Sequence, residues 1–576
     1  MMKLRHNVGL LVLTPVLLIG ATAREAMATK VGQPVNWTVS APLTTTNPSA
    51  ANDATAADIV TQIGQGLYRY DKAGKPVLAD AKSVVTSADG RTVTFKLKAG
   101  LRWSNGAKLT AADYVYGFQQ TVNPRNASNS AAIAKNIHGA NALVTGASQD
   151  FASLGVKALN EDTLQLQLDH PMPALPSILT STAFFPQNKA FEDKVGAKYG
   201  TSAVNSISNG PFVLQQWNGS NTTYALTKND HYVDQKQVRT QKITIRTITD
   251  TTTGYNLYQA GDVDYTVFGA DQVRASQHKA DFQVIKTGRT DFIGLNQQNK
   301  LLQNRALRKA LQLSINRTEL SKRVLTGSER QGQTFTPDGV ARNPKTARDF
   351  AKDASLSQNT FSTKQAQKFF RTAQKELAGQ QLKLTLLSDD DDQSKKEAQY
   401  IQSQLTTQLP ALKVTIKSEP KAARVKAQLS QNYDMVLTSW GGDYGDPMSF
   451  LNLFTTTSGL NIVKYQNAAY DKLLATADNQ HADQPEQRYT DLKKADGYLQ
   501  RDAPVIVLGY KSLPTLQRTT VSGVIQNPVG TLDLKSVYKK YEIRKWQLSH
   551  IQTVLFFKRG SLLPNHLRWI RHRVCL

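Results

Sequence analysis

The sequence predicts a mixed α and β protein with at least two lobes. Its 576 residues leave room for three or four domains at about 150 residues each. Stretches that alternate apolar and polar residues are interleaved along the chain with stretches of helical period. From residue 380 a whole strand, helix and strand unit is legible.

The elements follow in order. "PVNWTVSAPL" (34–43) reads as a strand leading into a polar loop, and "AADIVTQIGQGLYRYD" (56–71) as a helix pattern closed by a turn at "KAGKP". "ADG" (88–90) is a hairpin turn before "RTVTFKLKAG", whose alternation fits a half-buried strand. Thr110 caps a helix, "AADYVYGFQQTV", with Asp113 in its first turn. "EDTLQLQLDHPMP" (161–173) is a further strand pattern, and "FVLQQW" with "TYALTKN" (212–229) a hairpin. "KITIRTIT" (242–249) fits an interior strand, followed by a helix ending near "YQAGDVDYTVF".

The second half begins with "DFIGLNQQ" and a helix at "NRALRKALQL". There Ala306, Leu307, Ala310, Leu311 and Ile315 share one face, with Arg305, Arg308 and Lys309 expected largely opposite. "QLKLTLLS", "QSKKEAQYIQSQLTTQL" and "LKVTIKSEP" form the βαβ unit, with Ser388 or a neighbouring Asp as helix cap. "YDMVLTSW" (433–440) and "APVIVLGY" (503–510) read as buried strands. The former runs into two glycines, the lone acid Asp443 and a Gly-Asp-Pro turn, so a deep strand ends on a carboxylate.

Composition narrows the classes. Forty per cent hydrophobic and 20% charged residues exclude wholesale disorder. The first residues combine "MMKLRH", the apolar "VGLLVLTPVLLIG" and the small-residue "ATAREAMATK", a secretory signal peptide over 1–28 cleaved after Ala23 or Ala28. Ala21 stands where a lipoprotein signal would carry its lipid-bearing cysteine, and the one cysteine of the chain is Cys575. An exported protein with no internal disulfide is expected, stabilised by its core alone. The net charge of +25 is dispersed rather than gathered in a stripe, which favours an anionic cell-wall or membrane surface over nucleic acid. Residues 541–576 form an atypical basic tail, with seven Lys/Arg against one acid. Read-through past a natural end, or a membrane-surface helix, would account for it.

No HExxH, GxSxG, P-loop or GxGxxG occurs, and the nine histidines include no pair at i,i+3 or i,i+4. "SDDDDQS" (388–394) lacks the spaced ligands of a calcium loop. No catalytic residue, metal site or cofactor is expected, and the chain is read as not an enzyme.

"SADGRTVTFKLKAGLRWSNGAKLTAADYVYGF" (87–118) resembles the signature of the extracellular solute-binding proteins of ABC importers, family 5, the peptide and nickel-binding family. "NPSA…QGLYRYD", "SNGPFVLQQWN", "KNDHYVD", "GDVDYT", "NRALRKALQLSINRTEL" and "WGGDYGDPMSFL" follow in family order and extend the resemblance over roughly 34–540. The oligopeptide-binding branch fits best. The resemblance implies a periplasmic-binding-protein-like, type II fold: two lobes closing about a hinge, built as three domains. Domain I would comprise 31–66, 193–294 and 500–540, domain II 67–192, and domain III 295–499. "DFIGLNQ" and "APVIVLGYK" would be the hinge strands.

The resemblance further implies a peptide held extended between the lobes through its main chain, with Asp443 receiving its α-ammonium group. Ser439, Trp440 and Gly441 would offer backbone groups, and Asn52, Asp53 and Ala54 the opposing ones. An enclosed carboxylate without a partner would be costly or would protonate, and a ligand ammonium restores the balance. Asp446 and Pro447 are assigned to turn chemistry alone, and Trp103 and Trp217 to packing, while Trp440 is left as either core aromatic or pocket wall. The expected partners are an oligopeptide and the permease subunits of an ABC transporter. The expected state is a monomer at the extracellular face of a bacterial envelope. Other cargoes on the same fold (a signalling peptide, a nickel chelate, haem or an oligosaccharide) and a wall-associated adhesin or chaperone-like role are the alternatives.

Overall fold

The structure is a computed structural model and describes residues 33–326 and 329–540. The signal peptide, the basic tail and Cys575 lie outside the described residues. Among these, no helix is long and apolar enough to cross a membrane.

One eleven-stranded sheet runs through the molecule. Its order is Lys413–Glu419, Lys383–Asp389, Met435–Gly441, Phe282–Leu295, Val505–Gln517, Tyr265–Val267, Val35–Val39, Lys242–Thr247, Thr223–Lys228 and Phe212–Gln215, with Glu329–Arg330 added beside Val505–Gln517. The two central strands are also the longest, at 14 and 13 residues. Each carries the chain between two halves of the sheet, so both halves share these two strands. Their antiparallel ladder is interrupted between Lys286 and Thr290. Gly288 sits in that break with φ +59°, where an added Cβ would come within 2.5 Å of the Pro528 carbonyl oxygen. A left-handed residue in a bulged ladder allows local twisting that regular pairing would resist.

A separate four-stranded antiparallel sheet is built from Ala81–Thr86, Thr92–Leu97, Thr163–Gln167 and Val156–Asn160. The helix Ala111–Val122 covers it, and Phe95, Trp103, Tyr114 and Phe118 are buried in one cluster with it. Thr110 and Asp113 form a reciprocal capping box on that helix. Trp103 and Trp217 are both buried, as their packing assignment requires. Asp80 ties this sheet to the rest: Gln65 Nε2 donates to it at 2.5 Å, Tyr114 Oη at 2.8 Å and Asn209 Nδ2 at 3.1 Å. Burial pushes its carboxyl up to about 7.

The sequence-level elements are largely present. The βαβ unit is Lys383–Asp389, Asp392–Gln408 and Lys413–Glu419, with its strands parallel and Asp391 as the cap. Two expectations need correction. The helix pattern at 56–71 ends at Ile63, because Gly64 leaves the helix and Tyr68–Tyr70 then pairs as a strand. Arg308 and Lys309 do not face solvent: they are 5% and 7% exposed. Their helix, Arg305–Leu313, is packed on both sides, by Thr363–Glu376 and Pro485–Asp502. Arg308 donates to the carbonyls of Leu302, Gln303 and Asp502.

Candidate functional site

The strand Met435–Gly441 lies beside Phe282–Leu295, with Ser439 opposite Asp291, Trp440 opposite Thr290 and Gly441 opposite Arg289. Its apolar first half, Met435 to Leu437, is buried, and the rest opens progressively. Alternation of the strand turns Trp440 to the face where it packs against the core containing Phe292, Phe335 and Val507. Trp440 is half-buried there, one face on the core. Ser439 and Gly441 take the other face, where the Arg289 guanidinium donates to Ser439 Oγ at 3.0 Å. A Cβ on Gly441 would lie 3.0 Å from that guanidinium.

Beyond Gly441 the chain turns sharply. Ser449 fastens the turn: its carbonyl accepts from Trp440 Nε1 at 3.0 Å, and its hydroxyl accepts from the Asp443 N–H at 2.8 Å. A Cβ on Gly442 would strike the Phe450 ring at 2.5 Å, which requires glycine at this close approach. Asp443 thus stands at the end of a buried strand on a fixed backbone, its carboxylate still open to water. Among the described residues no hydrogen bond or ion pair engages that carboxylate. Dense protein on the surrounding sides pushes it up to about 6.

The next residues meet the region built around the four-stranded sheet. Tyr444 packs against the cluster that holds Phe95 and Trp103. The Gly445 N–H donates to Tyr70 Oη at 3.2 Å, and Ser177 Oγ donates to the Gly445 carbonyl at 3.3 Å. Asp443 therefore lies two residues from the contact at Gly445.

Asp446 does more than terminate a turn, which corrects its assignment. It accepts from the Met448 N–H at 2.9 Å, and Arg488 grips it with two parallel bonds of 2.7 and 2.9 Å. Arg488 also reaches Asp478 at 3.3 Å. These acids hold the guanidinium proton more firmly than usual despite burial. Arg289 and Arg488, which the sequence does not single out, are the cations that shape this segment.

The second predicted segment is organised differently. Asp53 caps the helix Ala54–Ile63 by accepting from Ala56 N at 2.9 Å, and it also accepts from Thr44 Oγ1 at 2.5 Å. Asn52 Nδ2 donates to the Ala127 carbonyl at 3.1 Å, while its Oδ1 accepts from Asn129 N at 2.9 Å. Both side chains are engaged within the protein, Asp53 by its own helix and Thr44, and Asn52 by the segment at Ala127 and Asn129, so 52–54 has only main-chain groups to offer. No hydrogen bond or ion pair among the described residues joins 52–54 to 439–443. Among the described residues no group of three or more His, Cys, Asp or Glu is arranged to hold a metal ion.

The family "Bacterial extracellular solute-binding proteins, family 5 Middle" matches residues 75–461. The chain is 32% identical over 546 residues to the dipeptide-binding protein of Lactococcus lactis subsp. cremoris, covering 92% of this chain and 98% of that protein. Among solved structures it resembles Listeria monocytogenes OppA bound to peptide, with a TM-score of 0.71, 30% identity, and coverage of 89% and 100%. The substrate-binding domain of an oligopeptide ABC transporter from Bacillus anthracis str. Ames gives a TM-score of 0.71 and 29% identity, covering 88% and 99%.

Proposed function

We propose, from the premise that this chain belongs to the bacterial extracellular solute-binding proteins of family 5, that it is the peptide-capturing component of an ABC importer. Relatives named for dipeptide and oligopeptide binding support this cargo. Asp443 carries the reading within the molecule: a carboxylate at a strand end, beside the contact at Gly445, with no cation paired to it among the described residues. A peptide's α-ammonium group is the complementary charge, and low local dielectric around the closed site would strengthen the pair.

In this reading a peptide lies along the edge formed by Ser439, Trp440 and Gly441, whose main-chain groups bind without regard to sequence. Asn52, Asp53 and Ala54 contribute main-chain groups from the other side. Arg289 lies over Gly441 and is placed to meet peptide carbonyl oxygens. The three-domain division at 31–66, 193–294 and 500–540, then 67–192, then 295–499, belongs to the same proposal. The bulge at Gly288 in the shared strands is its hinge. The protein acts as a monomer that hands peptide to permease subunits, outside the cell, with its positive charge holding it near an anionic envelope.

Calorimetric titration with one peptide in free-amine and N-acetylated forms tests the reading. The free amine is expected to bind and the acetylated form to bind poorly. Equal affinity for the two would overturn the role of Asp443, and binding of neither would overturn the peptide cargo.

A further inference from the structure

A second cavity lies away from the cleft. It has a volume of about 550 Å³ and is lined only by residues between Asn316 and Phe361 and by Tyr510. None of 439–443 contributes to its wall, and its one lining residue outside 316–361, Tyr510, comes from the shared strand Val505–Gln517. Four cations line it, Arg317, Arg330, Arg348 and Lys352, against a single acid, Asp338. Asp338 is already engaged by Arg330 and by Lys286 Nζ at 2.8 Å. Arg348 and Lys352 are exposed and have no carboxylate partner among the described residues.

The wall behind the cavity deepens the imbalance. Arg317 is 8% exposed and Lys309 is 7% exposed. Arg317 donates to the carbonyls of Asn359 at 2.8 Å and Gln312 at 3.3 Å, leaving its Nε without a partner. Lys309 donates to Gln312 Oε1 at 2.5 Å and Asn359 Oδ1 at 2.8 Å. Neither forms an ion pair with a carboxylate among the described residues. Burial and neighbouring cations lower Lys309 to about 8, and burial lowers Arg317 to about 10. A nearly buried cation with no carboxylate in contact normally destabilises a fold. Arg317 lines a roomy cavity that carries two exposed cations besides, with the Tyr510 and Phe361 rings in its wall, and Lys309 shares the partners Gln312 and Asn359 with it.

We propose that this cavity is a binding site for a small organic oxyanion, a phosphate or a carboxylate, separate from the peptide cleft. Guanidinium groups suit such ligands because their paired N–H donors match two oxygens at once. The volume exceeds that of a bare ion and admits an organic portion of metabolite size. An anion there would offset the charge of Arg317, which no carboxylate contacts among the described residues.

The test titrates the whole secreted protein with inorganic phosphate, glycerol 3-phosphate and succinate, against chloride at matched ionic strength. At least one oxyanion is expected to bind saturably with one-to-one stoichiometry. Saturation by the phosphates alone identifies a phosphate site, and by succinate alone a carboxylate site. Arg348→Ala combined with Lys352→Ala, both exposed side chains, should weaken that binding roughly tenfold or more while peptide affinity stays unchanged. No oxyanion binding above chloride, or unchanged binding by the double variant, overturns the site. Loss of peptide binding in the unaltered protein would leave this inference standing and sink only the cargo reading.

Discussion

The backbone N–H of Gly445 donates to the hydroxyl of Tyr70 at 3.2 Å across 375 residues of sequence. A main-chain donor and a phenol thereby tie the turn that carries Asp443 to the region of the four-stranded sheet. Tyr70→Phe removes the bond to Gly445 together with the hydroxyl's contacts to Thr180 and Ser177; at about 0.5–1.5 kcal/mol for a neutral hydrogen bond, peptide affinity should fall at least about two- to tenfold. Gly445→Ala should do more harm. Its Cβ would stand 2.8 Å from Tyr70 Oη and 3.0 Å from Pro528, wedging the lobes apart. Small-angle scattering of the peptide-saturated variant should show a larger radius of gyration than the parent, and an unchanged radius would count against this contact.

The state of Asp443 sets a pH window for binding. With its carboxyl near 6 before ligand arrives, the charged form dominates only above that pH. A peptide amine is protonated below about 8. Affinity is therefore expected to be flat between these limits and to fall up to about tenfold per pH unit below 6. Asp443→Asn should erase the acid limb and weaken binding by about 2–5 kcal/mol, the usual loss when one member of an enclosed charge pair is truncated. Calorimetry from pH 4.5 to 8 reads both effects. An acid limb that survives in the variant would assign the titration to another group.

Local patterns made much of this fold legible. The capping box of Thr110 and Asp113, the βαβ unit and the Gly-Gly turn after Trp440 each reside within a few consecutive residues, where period and turn chemistry speak directly. What stayed hidden is pairing at a distance. Arg488 and Asp446 are 42 residues apart, and Arg289 and Ser439 are 150 apart. Nothing in a local pattern links such partners. Arg308 and Lys309 deceived for another reason. Their helix is only nine residues long and is enclosed on two sides, so a polar face becomes an interior face bonded to carbonyls and amides. At the site, the position of Asp443 was legible from its motif, whereas the loss of the Asn52 and Asp53 side chains to local bonding was not.

A buried acidic group beside the shared strands predicts a pH dependence of stability. Asp291, Glu329 and Glu397 are 4%, 6% and 7% exposed, and among the described residues Lys511 is the cation that acts on them, reaching Asp291 at 3.4 Å. Asp391, at the start of the helix that carries Glu397, adds further negative charge. Burial first, and then Asp291, push both Glu329 and Glu397 upward. Because their folded affinity for protons exceeds the unfolded one, stability is full below the unfolded value near 4.5 and declines as pH rises above it. Urea midpoints should accordingly fall between pH 5 and pH 8, and Glu397→Gln should flatten that decline. An equal slope in the variant would exclude Glu397 as its source.

The clamp of Arg488 on Asp446 offers the most direct stability test of the turn that follows Asp443. Asp446 and Arg488 have side chains only 14% and 11% exposed, and Asp478 is the guanidinium's second acid. Arg488→Ala would leave two partly buried carboxylates repelling each other without their cation. Breaking such a pair costs about 3–5 kcal/mol, most of it from the stranded charge. Arg488→Lys restores the charge but not the two-pronged geometry, so it should recover only part of the loss. Since Asp446 follows Asp443 by three residues on the same turn, both variants should also weaken peptide binding. Asp446→Asn with Arg488→Met removes both charges together. If the clamp matters through stranded charge, this double variant should be more stable than Arg488→Ala alone; the reverse order would show that packing of the guanidinium dominates.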